Sequence, residues 1–166
     1  MLSQRAREYM TDGLTDFGIA KEICDAIDAG NAKGAFTLTK TISLSSDQLL
    51  NLYTIPVDAI APVSDGIIYV MACELSYFFP TVGGVPYTIP AGAANINIQY
   101  TTGQIFINPP VYGILDQTHN VDFAVTAGYS QPLFKNVGVN LVFAGSGALT
   151  SGDGTLAIKI FYQILK

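Results

Sequence analysis

Residues 36–44, FTLTKTISL, mark the point at which the spacing of apolar residues changes from a helical period to a period of two. Hydroxyl side chains of threonine and serine occupy one face, and the other face carries Lys40 with four apolar residues, which are Phe36, Leu38, Ile42 and Leu44. Successive side chains of a β-strand point to opposite faces, so this alternation predicts a strand. It recurs to the end of the chain and predicts a β domain over residues 35–166.

The β domain contains seven to nine short strands by this criterion, separated by glycine, proline and asparagine turns. Such spacing is typical of an antiparallel β-sandwich of jelly-roll type. The predicted buried residues include Val70, Leu75, Val121, Phe123, Leu141, Ile158 and Ile160. Residues 67–79, IIYVMACELSYFF, are apolar at nearly every position of both faces. We therefore expect this strand to be buried on both sides, inside the sandwich or against a neighbouring subunit.

Three connecting segments carry local signals of their own. The segment SSDQLLNLY, residues 45–53, predicts a short helix capped by Ser46 or Asp47. The segment IPVDAIAP, residues 55–62, predicts a short strand that its prolines place at a sheet edge. The pair Gly83 and Gly84 predicts a hairpin turn.

Residues 1–34 differ from the rest of the chain in both charge and period. Ten charged side chains lie in residues 1–35, whereas the other 131 residues hold only eleven. Apolar residues at helical spacing predict two short helices, one ending near Gly13 and one running from Thr15 or Asp16 to Gly30. Short helices cannot form a core alone, so we expect residues 1–34 to be a helical N-terminal arm that rests on another surface.

Composition bounds the function classes. The chain has 166 residues, of which 49% are hydrophobic and 13% charged, with a net charge of -5. This is the reverse of the composition of a disordered chain, and it lacks the basic face that a nucleic-acid-binding protein needs. No continuously apolar window is long enough to span a membrane, and the N-terminus has no apolar segment typical of a secretory signal peptide.

Candidate catalytic and metal-binding residues are few. His119, the only histidine, lies between Asp116 and Asp122, but residues 119 and 122 of an extended strand point to opposite faces. Asp153 in SGDGT stands alone, so it predicts a turn rather than a calcium loop. The glycine-rich segments lack the lysine and helix of a phosphate loop. We assign no catalytic, cofactor-binding or metal-ligating residue, and we expect no enzyme and no cofactor.

The remaining titratable residues also have structural interpretations. Three charges fall inside predicted strands, at Lys40, Glu74 and Lys159, where we expect solvent-facing positions and a cross-strand pair between Glu74 and one of the lysines. The cysteines Cys24 and Cys73 are expected to be two buried thiols. Low charge combined with many tyrosine and phenylalanine residues is typical of interface cores, and it predicts a permanently assembled protein, in a closed cyclic oligomer.

The C-terminal run NVGVNLVFAGSGALTSGDGTLAIKIFYQILK, residues 136–166, resembles the end of small virion proteins of tailed bacteriophages. In those proteins a strand near an Asn-containing turn is followed by a glycine-rich T-L turn and a final K-I-x-Y-x-I strand. The segments 40–62, 81–89 and 95–103 have a similar pattern, so the resemblance covers most of residues 36–166. It implies a β-sandwich that acts as a capsid decoration (cement) protein or as part of a head or tail fibre, often as a trimer. It carries over no catalytic residue.

Two classes of function remain open at this stage, with a third less supported. The first is a capsid decoration protein, a homotrimer on the capsid surface of the virion, made in the host cytoplasm, whose partner is the major capsid protein of the assembled shell. The second is a receptor-binding fibre or tail-tip module that recognises cell-surface carbohydrate through tyrosine and amide side chains. The absence of a long triple-stranded stalk favours decoration. A polysaccharide-cleaving enzyme would need paired carboxylates that the sequence does not single out.

Overall fold

The computed structural model describes residues 37–92, 94–127 and 133–166. In these ranges eight strands and one short helix follow one another along the chain. Their bounds are β1 Leu38–Leu44, α1 Ser46–Asn51, β2 Val57–Ile60, β3 Ile67–Phe78, β4 Asn95–Tyr100, β5 Ile105–Ile107, β6 Val121–Thr126, β7 Val139–Ala144 and β8 Thr155–Leu165. The predicted arm over residues 1–34, with Cys24, lies outside the described residues.

The strands form two sheets of four, in the orders β1-β8-β3-β6 and β2-β7-β4-β5. Antiparallel pairs join the first strand to the last and continue inwards: β1 with β8, β2 with β7, β3 with β6, and β4 with β5. A further antiparallel pair joins β7 to β4 in the second sheet. The prediction of a mainly β chain with antiparallel sheets is confirmed, and two such sheets around one apolar core are consistent with a β-sandwich.

The core consists of the inward-facing residues of both sheets. Five of the seven residues predicted to be buried are at most 1% exposed: Val70, Leu75, Leu141, Ile158 and Ile160. The prediction was wrong for Val121 and Phe123, which are only partly buried and pack against the margin of the core. Both lie on β6, an edge strand, and in the described ranges no strand lies on its far side to cover them.

The expectation that β3 is buried on both faces was wrong within the single chain. Alternate residues such as Ile68 and Leu75 are fully buried, whereas Tyr69 and Phe78 on the opposite face are 37% and 50% exposed. The alternation shifts by one residue between Val70 and Cys73, both of which are buried. One face of β3 therefore lies on the core, and the other is open.

The connecting segments follow the local signals with two corrections. Helix α1 is capped by Ser45, one residue before the predicted caps: its hydroxyl accepts from the Gln48 amide at 3.3 Å, and the Gln48 side chain accepts from the Ser45 amide at 3.0 Å. The strand β2 is short and lies at a sheet edge, as predicted. Gly83 lies in a turn with φ +69°, but the hairpin prediction was wrong because β3 and β4 belong to different sheets.

In the described ranges no helix is long and apolar enough to cross a membrane.

Candidate functional site

Four long connections meet at one end of the strands. The antiparallel pairs place Leu44 at the end of β1 beside Leu156 at the start of β8, and Tyr77 near the end of β3 beside Val121 at the start of β6. The connections that follow β1, β3, β5 and β7 therefore lie at the same end, and the Phe143 amide donates to the Leu52 carbonyl there, at 3.1 Å. We call this surface the loop end; it comprises residues 45–56, 79–94, 108–120 and 145–154.

Hydrogen bonds hold two of these loops together. Thr88 and Thr150 exchange backbone hydrogen bonds at 2.8 and 3.1 Å, as two strands would. Beside them the Val85 amide donates to the Asp153 carboxylate at 2.8 Å, and the Asp153 amide donates to the Val85 carbonyl at 3.2 Å. Asp153 therefore joins two loops, which agrees with its prediction as a turn residue rather than a calcium ligand.

Two buried tyrosines explain the glycines of the 145–154 loop. A Cβ at Gly152 would overlap the Tyr87 ring, and a Cβ at Gly154 would overlap the Tyr77 ring. The Tyr87 hydroxyl donates to the Gly154 carbonyl at 2.7 Å, and the two rings meet edge to face with centroids 6.3 Å apart. The hydroxyl of Tyr77 is buried without a hydrogen-bond partner among the described residues. Two of the four glycines of this loop, Gly152 and Gly154, are therefore required by packing against the tyrosine rings.

Burial also keeps these hydroxyls protonated. Desolvation, with smaller contributions from the charges of Asp153 and Asp116, raises the pKa of Tyr77 to about 12. The pKa of Tyr87 is raised further, again mainly by desolvation. Neither phenol can act as a base or a nucleophile near neutral pH.

The residues singled out around the histidine do not form a metal site. The Asp116 carboxylate accepts from the Gly113 amide at 2.7 Å and from the Gln117 side chain at 2.9 Å, so it shapes its own turn. His119 is exposed, and Asp122 lies on β6 opposite Ser76. Over the described ranges no three His, Cys, Asp or Glu side chains are grouped so that they could hold a metal ion.

The loop end is apolar and lacks cations. Its four segments contain three aspartates, one histidine and no lysine or arginine. Two of the aspartates are the ones already engaged by backbone amides, Asp116 and Asp153. Large exposed apolar side chains concentrate here: Tyr53 43%, Ile55 62%, Val82 91%, Val85 47% and Tyr112 44%. The arrangement suits contact with another macromolecule better than chemistry on a small substrate.

The strand charges and the described cysteine have structural roles. The Lys159 Nζ lies 3.4 Å from the Glu74 Oε2, with side chains 43% and 51% exposed, which confirms the predicted cross-strand pair. Lys40 is exposed on the edge strand β1. Cys73 is a buried free thiol, as predicted, and burial together with the charge of Glu74 raises its pKa to about 12.

The second sheet carries amide side chains on the face opposite the core. Asn97 and Asn140 are 8% and 9% exposed, and the side-chain oxygen of Asn140 has no hydrogen-bond partner among the described residues. Asn140 lies opposite Gln99 in the register of β4 with β7. Both asparagines are too little exposed to contact a ligand at the surface.

Comparison with known proteins gives similarity to viral capsid chains. No family model and no curated protein matches this chain. The cyanophage Pam1 capsid asymmetric unit has a chain that is 14% identical over 79% of this chain and 84% of its own length, with a TM-score of 0.43. Two chains of infectious bursal disease virus, from the viral particle and from the VP2 subviral particle, are each 14% identical over 78% of this chain and 35% of their own length, with TM-scores of 0.28 and 0.25. Similarity at this level assigns no shared function.

Proposed function

We propose that this chain is a structural protein of a virion, and more narrowly a capsid decoration (cement) protein that binds the assembled shell as a homotrimer. Its place is then the capsid surface, its partner is the major capsid protein within the shell, and it is made in the host cytoplasm. It needs no cofactor and carries out no catalytic step. In this proposal residues 1–34, whose sequence predicts helices, act as an arm towards a neighbouring subunit or the shell.

The nested strand pairs support the architecture that this proposal requires. The first four strands pair with the last four in reverse order, from β1 with β8 to β4 with β5. This pattern results when a long antiparallel hairpin, with four strands in each arm, folds over into two sheets. We infer that the sandwich is a jelly roll, an architecture shared by viral capsid and lectin domains. A fold alone does not define function. The choice between a capsid role and a carbohydrate-binding role therefore rests on the properties of the surface.

The observation that carries the proposal is the apolar loop end. Its most exposed apolar residues, Ile55 and Val82, lie on loops that are joined by backbone hydrogen bonds rather than left free. A surface ordered before binding loses little conformational entropy when it docks, so modest apolar contacts suffice for affinity. Three copies on one shell would add avidity. Because the loop end lacks cations, binding should change little with salt concentration.

The test is co-sedimentation with capsids of the virus that encodes the chain, purified without accessory proteins, and with unassembled capsid subunits in parallel. We expect a trimer by light scattering, binding to shells only, and shells that resist heating better when bound. Val82→Asp should weaken shell binding at least tenfold while leaving the melting temperature unchanged, since the Val82 side chain is 91% exposed. Thr39→Asp, at an exposed position of β1 outside the loop end, is the matched control.

The receptor-binding alternative predicts a different outcome of the same experiment. The exposed tyrosines Tyr53 and Tyr112 of the loop end favour it, because tyrosine hydroxyls are suited to hydrogen bonds with sugar hydroxyls. In that case the chain would pellet with host cell envelopes and not with shells, and Tyr53→Ala would reduce the binding while Val82→Asp would not. A stable monomer that ignores shells contradicts the decoration proposal.

A further inference from the structure

The edge strands of the two sheets differ in how they are protected against pairing with another chain. Unprotected edges pair with other strands, so proteins shorten them, bend them or charge them. The edge strand β5 has only three residues, and β2 has four, with a register shift after Asp58 and prolines at 56 and 62. The edge strand β1 carries the exposed charge of Lys40, opposite Ile160 of β8.

The fourth edge strand, β6, is neither bent nor broken by proline, and its one charged residue is the exposed Asp122. Its sequence VDFAVT contains no proline, lysine or arginine. It pairs with β3 over its whole length without a register shift, from Ala72 opposite Thr126 to Tyr77 opposite Val121. Within the described ranges β3 is its only neighbouring strand. Three of its outward residues are exposed, which are Asp122, Ala124 and Thr126.

The hydrogen bonding between β6 and β3 shows which N–H and C=O groups of β6 point to its free edge. The amide of Ala127 donates to the Met71 carbonyl of β3 at 2.7 Å. The N–H and C=O groups of successive residues in an antiparallel strand point alternately to its two sides. Residues 121, 123 and 125 therefore bond to β3, and Asp122, Ala124 and Thr126 direct their backbone groups away from it.

We propose that this edge is a self-association site, at which β6 of a second copy pairs antiparallel about a two-fold axis through Ala124. In this register Asp122 faces Thr126 of the second copy, and Phe123 faces Val125. Each of the residues 122, 124 and 126 then lies opposite a residue of the same set in the second copy. The Asp122 side chains of the two copies are not opposite each other. The partly buried row of Val121, Phe123 and Val125 then gains aromatic and β-branched neighbours on the side where the described residues place no strand.

The contact is isologous, so it joins copies in pairs and cannot by itself close a trimer. It would link two monomers, or two trimers of the kind proposed above. The inference concerns the chain in solution and does not rest on capsid binding, so failure of one proposal leaves the other standing.

The proposed register predicts opposite changes in the dissociation constant for two substitutions of Thr126. Thr126→Lys places a cation opposite Asp122 twice in each pair, whereas Thr126→Asp places an anion there. From the usual size of two cross-strand charge pairs, we expect the dissociation constant to fall about tenfold for Thr126→Lys and to rise about tenfold for Thr126→Asp. Sedimentation velocity over a concentration series measures both, and Thr39→Lys and Thr39→Asp on β1 are the matched controls. Equal shifts for the two substitutions, or no shift relative to the controls, would overturn the proposal.

Two further variants test the position of the axis. Ala124→Pro removes an amide at the free edge and no bond to β3, so it should abolish pairing in a chain whose circular dichroism spectrum is unchanged. Ala124→Cys should form a disulfide-linked dimer under mild oxidation, because opposite Cα atoms in such a pair are about 5.5 Å apart. The parent chain and the Thr39→Cys variant should form no disulfide-linked dimer under the same conditions. If Ala124→Pro fails to fold, the two Thr126 variants and the Ala124→Cys crosslink still test the proposal. Absence of the crosslink would contradict a two-fold axis at Ala124.

Discussion

The two tyrosines under the 145–154 loop should respond with opposite signs to loss of the hydroxyl group. Both side chains are at most 2% exposed, but the Tyr87 hydroxyl donates to the Gly154 carbonyl, whereas the Tyr77 hydroxyl has no partner among the described residues. Tyr87→Phe removes a hydrogen bond and leaves a buried carbonyl short of its donor, which costs about 1–2 kcal/mol. Tyr77→Phe relieves an unpaired buried hydroxyl and should stabilise by up to about 1 kcal/mol.

Urea unfolding monitored by tyrosine fluorescence measures both values. With a slope near 2 kcal/mol per molar urea, the two midpoints should differ by about 1 M with unchanged slopes. Tyr53→Phe, at a residue 43% exposed, is the control and should change the free energy of unfolding by less than about 0.5 kcal/mol. If Tyr77→Phe destabilises the protein by as much as Tyr87→Phe, the Tyr77 hydroxyl has a partner and the argument is refuted.

Three other outcomes are expected. Because burial raises the pKa of Cys73 from 9.0, and that of Tyr77 from 10.0, to about 12, these groups stabilise the fold fully below pH 9 and lose that contribution as pH rises towards 12. Unfolding free energies between pH 8 and 11 should show this decline, and Tyr77→Phe should make it shallower. Phe123→Ala, at a partly buried edge residue, should cost about 1–3 kcal/mol, below the about 3–5 kcal/mol of Phe143→Ala in the core; equal losses would contradict the edge position. A chain that begins at Gly34 should fold and remain soluble but lose assembly, as size and melting curves would show; an unfolded product would place the arm in the core.

The period of two predicted which residues are core, but not which strands are edges. Alternation depends only on neighbouring residues, so Leu141 and Ile158, on the interior strands β7 and β8, were correctly predicted to be buried. Phe123 shows the same alternation but lies on β6, which has one neighbouring strand in the described ranges. Sheet order is decided by pairing between distant parts of the chain: the prolines beside β2 indicated its edge position, but β6 carries no such local signal.

Turn signals were reliable for local conformation and not for what the turn connects. Gly83 has the positive φ that its place in a turn requires, yet the strands on either side belong to different sheets. The same holds for Gly152 and Gly154: the sequence shows a glycine-rich turn, but the tyrosine rings that exclude a Cβ come from segments more than sixty residues away. Contacts of this kind need the three-dimensional arrangement.

Three of the described carboxylates are engaged within the chain. Asp116 and Asp153 each accept a hydrogen bond from a backbone amide within the loop end, and Glu74 is paired with Lys159. A carboxylate held in this way keeps its charge but is less free to pair with a partner, so we expect recognition at the loop end to come mainly from shape and apolar contact. Under the proposed function we therefore expect the shell contact on the loops around Val82 and Ile55, apart from the edge of β6 proposed for self-association.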